Sequence, residues 1–184
     1  YKSNKNDFEV VKWYAKSLAK NKKTEQALEK FKEAYNLKKD GMIAYNIAII
    51  LNQKAKTNKK LIAEAVKYFL EASLLSPQQS EKAGNSAKSL FFSNYIDKET
   101  GLNYNGLIKQ TEEINNELKK TIDEFNRKYE GKEEEEIDKK QMKADLKEID
   151  DLKNDLEIME AKTQKAINEF NKLLKQAEKR INKK

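Results

Sequence analysis

The chain contains neither cysteine nor histidine. Thiolate nucleophiles, imidazole bases, disulfides and Cys/His zinc sites are therefore excluded. Carboxylates, hydroxyls and amines remain. Paired carboxylates occur at Asp150-Asp151 and in the run Glu133–Glu136. The first pair reads as a solvated helix face, and the second as a first turn favoured by the helix dipole. A serine with a lysine base would need a glycine-rich elbow to position it, and the sequence has none, nor a GxxxxGK[ST] phosphate loop. The Asp/Asn-rich stretch 97–106 lacks the D-x-[DN]-x-[DN]-G spacing and closing Glu of a calcium loop, and reads as a polar turn. These residues call for no cofactor, no metal and no small-molecule substrate, and the chain reads as non-enzymatic.

Lysine is the other chemically active group. The 184 residues include 38 Lys and Arg against 31 Asp and Glu, net +7. Residues 1–100 carry 19 basic and 11 acidic side chains, and residues 101–184 carry 19 and 20. Lys20, Lys22, Lys23, Lys38, Lys39, Lys54, Lys56, Lys59 and Lys60 fall near expected loops. Such a surface would bind phosphate in a salt-dependent way. Base reading favours Arg, however, and the only arginines are Arg127 and Arg180, which argues against nucleic acid as the partner. An acidic protein or an anionic membrane surface fits the same charge. Lysine over arginine, with 18 Asn, matches the codon bias of an AT-rich bacterial genome. The compartment stays open: cytoplasmic, or periplasmic and membrane-associated if a signal or anchor preceded Tyr1.

The elements that must position these groups are helices. Five Gly and one Pro leave few turns, and no segment keeps a period-two alternation. Sixteen aromatics at helical spacings oppose disorder. Asp40-Gly41, Ser76-Pro77, the stretch 97–106 and Glu130-Gly131 break the pattern. Between the breaks the spacing predicts helices over 8–20 with Asp7 as cap, 24–37 capped by Thr24, 42–55, 61–75 and 80–95. The fold class expected is all-α.

An internal repeat is present. Ala27-Leu28-Glu29-Lys30-Phe31-Lys32-Glu33-Ala34 recurs as Ala65-Val66-Lys67-Tyr68-Phe69-Leu70-Glu71-Ala72, sharing Ala-x3-Phe-x2-Ala, and Pro77 follows. Tyr14-Ala15 with Leu18 and Tyr45-Asn46-Ile47-Ala48 with Leu51 lie upstream of the two copies, and Ala87 with Leu90 is in register for a third first-helix. Over residues 8–95 the pattern resembles the tetratricopeptide repeat (TPR) family. The second helix of the third pair is not in pattern. Lys39 stands where the family often has Pro, and Val11 where it has a bulky aromatic.

The resemblance implies stacked helix pairs whose first helices line a concave groove that holds a peptide or helix of another protein. The matching positions are Lys12, Trp13 and Lys16, then Tyr45, Asn46 and Ile49, then Asn85 and Lys88. Lys12 and Asn46 match two positions of the family's carboxylate clamp, whereas Lys16, Glu81 and Asn85 depart from it. The implied function is that of a protein–protein interaction scaffold, with an acidic segment as the natural complement to the lysines.

After a polar linker over 96–106, residues 107–184 read as a long antiparallel helical hairpin turning near Gly131, its second helix beginning at the Glu133–Glu136 run. Written as heptads, Leu146, Lys153, Glu160, Ile167, Leu174 and Ile181 share one position, and Ile149, Leu156, Thr163, Phe170 and Ala177 the other. This is a coiled-coil seam with charge at Lys153 and Glu160. The first helix covers about half of the second, so Ile167, Phe170, Leu174 and Ile181 require a partner. Burying one such side chain is worth ~1.5–3 kcal/mol. The segment either returns along the repeat lobe or pairs with another chain as a homodimer. Coiled-coil self-assembly and nucleic-acid binding are the alternatives to an adaptor function.

Overall fold

The computed structural model describes residues 7–182 as seven α-helices, with two single turns of 3-10 helix and an isolated antiparallel bridge between Ile96 and Asn103. The chain is all-α, as its periodicity predicts. It divides into two compact units, one taking in the chain up to Asn94 and again from Glu169, the other Tyr95–Asn168. The residues from Glu169 onward, on the second helix of the expected hairpin, thus group with the chain up to Asn94.

In the first unit α1 (Phe8–Lys20) starts at Asp7, whose Oδ1 accepts from the Glu9 and Val10 amides at 2.8 and 3.2 Å. It ends without glycine. Lys22 takes a φ of +58°, its amide donates to the Ala19 carbonyl, and the Lys23 amide donates to that of Leu18. This is a Schellman ending with lysine in the left-handed place. Lys23 then occupies the cap position of α2 (Thr24–Leu37) and makes no side-chain cap bond. Thr24, expected as the cap, is instead the first helical residue, because the preceding turn already fixes the chain's entry. Asp40 caps α3 (Gly41–Ala55) through the Ile43 amide at 2.9 Å. Gly41 begins that helix because an added Cβ would lie 2.6 Å from Ser76 Cβ. A 3-10 turn at Lys59–Leu61 leads into α4 (Ile62–Leu75), and α5 (Ser80–Asn94) follows Pro77.

Each of these helices packs on the next. Ala15, Ala27, Ala34, Ala48, Ala65, Ala72, Ala83 and Ala87 are fully buried, as Phe31 and Phe69 nearly are. Small side chains let the axes approach, and each Phe fills the space its neighbouring alanines leave. The final residues of α7 (Lys139–Asn182) complete this core. The Phe170 ring centre lies 5.4 and 5.3 Å from those of Phe91 and Phe92 near the end of α5. Arg180 Nε lies 3.0 Å from Glu71 Oε1, and the guanidinium 4.5 Å from the centre of the Tyr68 ring. These contacts seat the segment against the end of α5 and against Tyr68 and Glu71 of α4.

In the second unit α6 (Tyr104–Tyr129) and α7 pair antiparallel. Near the turn, the Tyr129 hydroxyl and the Lys128 ammonium donate to Asp145 Oδ2 at 2.8 and 2.7 Å. With Gln141, they lower the Asp145 carboxyl to about 2, Lys128 contributing most. Gly131 turns the chain at a φ of +73°. The Glu133–Glu136 run does not start α7. It forms a 3-10 turn at Glu134–Glu136, and Asp138 caps the helix by accepting from the Lys140 and Gln141 amides. The short Asp side chain reaches orphan amides that the longer Glu serves poorly.

The heptad register also differs from expectation. Ile149, Leu156 and Thr163 do face inward, but their partners are Asp145, Leu152, Met159 and Ala166. Lys153 and Glu160 are exposed, so the expected charge break in the seam is absent. The turn expected over 97–106 is shorter: residues 97–103 are a hydrogen-bonded turn, and α6 already begins at Tyr104, capped by Asn103 through the Gly106 amide. Asp97 Oδ1 accepts from the Thr100 amide and hydroxyl, both at 2.9 Å, and from the Glu99 amide at 3.2 Å. These bonds, the Thr100 amide first, hold its carboxyl below the usual range.

Candidate functional site

A groove of about 480 Å³ opens between α1, α2 and α3. Its floor is apolar: Phe31 from α2 and Ile50 from α3 are buried core residues. The α3 wall presents Met42, Asn46, Ile49 and Gln53, spaced four, three and four residues apart on one face of the helix. The α1 wall presents Lys16 and Ala19, and Thr24 closes the end at the start of α2.

Three of the eight positions nominated from sequence, Lys16, Asn46 and Ile49, meet here from α1 and α3. Trp13 does not line the groove; it is 63% exposed, with the Lys16 ammonium 4.8 Å from its ring centre. Lys12 is turned to its own helix, 2.5 Å from Glu9 Oε2 and 4.9 Å from the Phe8 ring centre. Tyr45 packs edge-on against the core ring of Phe69 at 5.7 Å, with the Lys82 ammonium 5.4 Å from its centre. Asn85 and Lys88 are exposed on α5 and do not line the groove. The lining therefore ends at α3, where the family pattern would carry it on to a third first-helix. Met42, Ala19 and Gln53 were not nominated. Their signal was present in the helical spacing that Asn46 and Ile49 already obey.

Of the four residues expected to need a partner along the C-terminal helix, Phe170 is buried and Leu174 half-buried against the first unit's core. Ile181 is half-buried, and Ile167 belongs to the second unit, where it lines a cleft with Ile108. Phe170 and Leu174 are covered within the chain itself.

The docking of that segment places a carboxylate in the core. Glu71 is fully buried, and Arg180 is the cation set against it. Burial pushes its carboxyl above the usual range, while Tyr35 and Arg180 oppose that rise. The Tyr35 hydroxyl and both Glu71 oxygens lack a well-aligned hydrogen bond among the described residues, so charge holds the pair more than a directed bond.

Charge is distributed unevenly between the units. The first holds 24 basic and 11 acidic residues, net +13, and the second 14 and 20, net −6. Among the described residues no three carboxylates gather as a metal site, and no helix is long and apolar enough to cross a membrane. Comparison of the chain with family models, curated proteins and solved structures finds no significant match.

Proposed function

We propose that the chain is a non-enzymatic interaction module of tetratricopeptide-like construction, and that its α1–α2–α3 groove holds an acidic segment of another protein, as a helix or an extended peptide. The observation that carries this reading is the convergence of Lys16, Asn46 and Ile49 over the Phe31–Ile50 floor, beside an exposed Trp13. An apolar floor anchors one or two side chains, Asn46 offers a donor and an acceptor to a backbone, and Lys16 meets a carboxylate. Tryptophan is frequent among residues that dominate binding energy. The first unit's net charge draws an acidic partner and repels a basic one.

Trp13 is the only tryptophan and reports on the groove through Lys16. A panel of peptides with one apolar anchor between acidic residues is to be titrated while its emission is followed. At least one member is expected to shift the emission saturably, and Ile49→Ala is expected to weaken that binding about tenfold, equivalent to about 1.4 kcal/mol. Panel-wide silence, or equal binding by the Ile49→Ala and Lys16→Glu variants, would remove the groove from consideration. The same charge supports a second reading, a polyanion binder, for which salt-sensitive retention on single- or double-stranded DNA is the discriminating measurement.

A further inference from the structure

The second unit has a cleft of its own, of about 580 Å³, between α6 and α7. Ile108 and Thr111 line it from α6, and Ala161, Thr163 and Ile167 from α7. Its rim carries Glu112, Glu157 and Glu160 and no basic residue. All three carboxylates are exposed, and none forms an ion pair or hydrogen bond among the described residues, whereas the neighbouring Glu113 is paired with Lys109 at 3.3 Å. Unpaired like charges around apolar surface are mutually repulsive, and they are relieved by an occupant that brings cations with its apolar side chains.

The shape points to a helix. Two antiparallel helices leave a straight furrow, and Glu160, Thr163 and Ile167 follow one another at three- and four-residue steps along α7, the row into which a third helix's side chains interlock. Glu160 and Ile167 lie beside the seam that meets α6, at the heptad position that Lys153 and the exposed Leu146 also hold, so the cleft is confined on α7 to the stretch from Glu157 to Ile167.

We propose that this cleft is a docking surface, separate from the groove of the first unit, and that its occupant is a basic amphipathic helix of another protein, with apolar residues on one face and lysine or arginine flanking them. Binding would complete a three-helix bundle with the apolar face down and the flanking cations at Glu112, Glu157 and Glu160.

The test titrates the whole chain with a synthetic Leu/Lys amphipathic helix of three to four turns and with its Leu/Glu counterpart of equal length. The Leu/Lys peptide is expected to bind, more weakly as salt rises, and the Leu/Glu peptide to be inert. Glu112→Lys with Glu160→Lys is expected to weaken binding about tenfold or more. Glu134→Lys with Glu135→Lys changes net charge equally but lies away from the cleft, and is expected to leave affinity within about twofold. Ala161→Trp, which fills the cleft, is expected to abolish binding while helicity and melting are retained. Equal loss in both charge-reversed pairs would reduce the effect to diffuse attraction and overturn the proposal. Undiminished binding to a folded Ala161→Trp variant would overturn it as well. So would sedimentation showing that the chain alone is a dimer which Ala161→Trp dissociates, since a second copy would then be the occupant.

Discussion

Two side chains in the first unit adopt states unusual for their type, and each gives a prediction. Lys22 holds a left-handed conformation at the end of α1, which costs a residue with a Cβ roughly 1–2 kcal/mol. Glycine would remove that cost but give back ~0.4–1 kcal/mol through a freer unfolded chain. Lys22→Gly is therefore expected to raise the urea midpoint modestly, by about 0.5 kcal/mol of stability. Arg180→Met leaves Glu71 buried beside no direct cation. It is expected to cost about 3 kcal/mol, the low end for a broken buried pair because the guanidinium is one-third exposed. Adding Glu71→Leu to Arg180→Met should recover most of that loss. The pH dependence follows from the raised Glu71 carboxyl. The folded state holds the proton more tightly than the unfolded one, so this group's contribution falls as pH rises from the ordinary carboxylate range through the folded value. Arg180→Met should steepen that fall, as urea titrations at several pH values will read. Asp40 reads in the sequence only as part of a break, whereas Asp7 could be assigned as a cap from sequence because a short acceptor before a helical run has one common use. Glu71 could not, since a glutamate on a helix is ordinarily solvated. The clue was its place directly after Tyr68-Phe69-Leu70, all buried, on a helix apolar nearly all round.

At the scale of elements, the close approach of α3 to the end of α4 depends on Gly41. A Cβ there would meet Ser76 Cβ at 2.6 Å and the Ser76 amide at 3.0 Å, neither of which is the free end of a flexible side chain. Gly41→Ala is therefore expected to destabilise by about 1–3 kcal/mol, although alanine is the better helix former, and differential scanning calorimetry will give the sign. Helix limits were largely legible because breaks and caps are local: each of the first five helices starts within one residue of the expected position. The start of α7 was misplaced because four consecutive glutamates look like a favourable first turn, while the competing cap at Asp138 lies just beyond them. Its seam was displaced because Leu146, Ile167, Leu174 and Ile181 form a convincing heptad by themselves. Only the partner surfaces show that Leu152 and Met159 occupy the inward position instead. The groove was legible in three residues for a similar reason. Periodicity assigns a face to Lys16, Asn46 and Ile49, but the opening between helices depends on packing that no spacing reports.

For the molecule as a whole, the largest departure from sequence order is the packing of the end of α7 with the first unit. Phe170 lies 79 positions along the chain from Phe91, and Arg180 lies 109 from Glu71. No local pattern could connect them, because the segment's own sequence calls only for some apolar partner. Phe170→Ala is expected to cost about 3–5 kcal/mol, as for other buried aromatics. Hydrogen exchange should show faster opening of α5 together with the end of α7, while α1 and α2 change little. The arrangement also sets an order of events during synthesis. When the ribosome has finished α5 it must still add some 75 residues before Phe170 exists, about 4–15 s at ordinary elongation rates. Throughout that interval the nascent lobe carries Phe91 and Phe92 uncapped, so its maturation is timed by translation of the hairpin and is open to any chaperone that binds exposed aromatic surface.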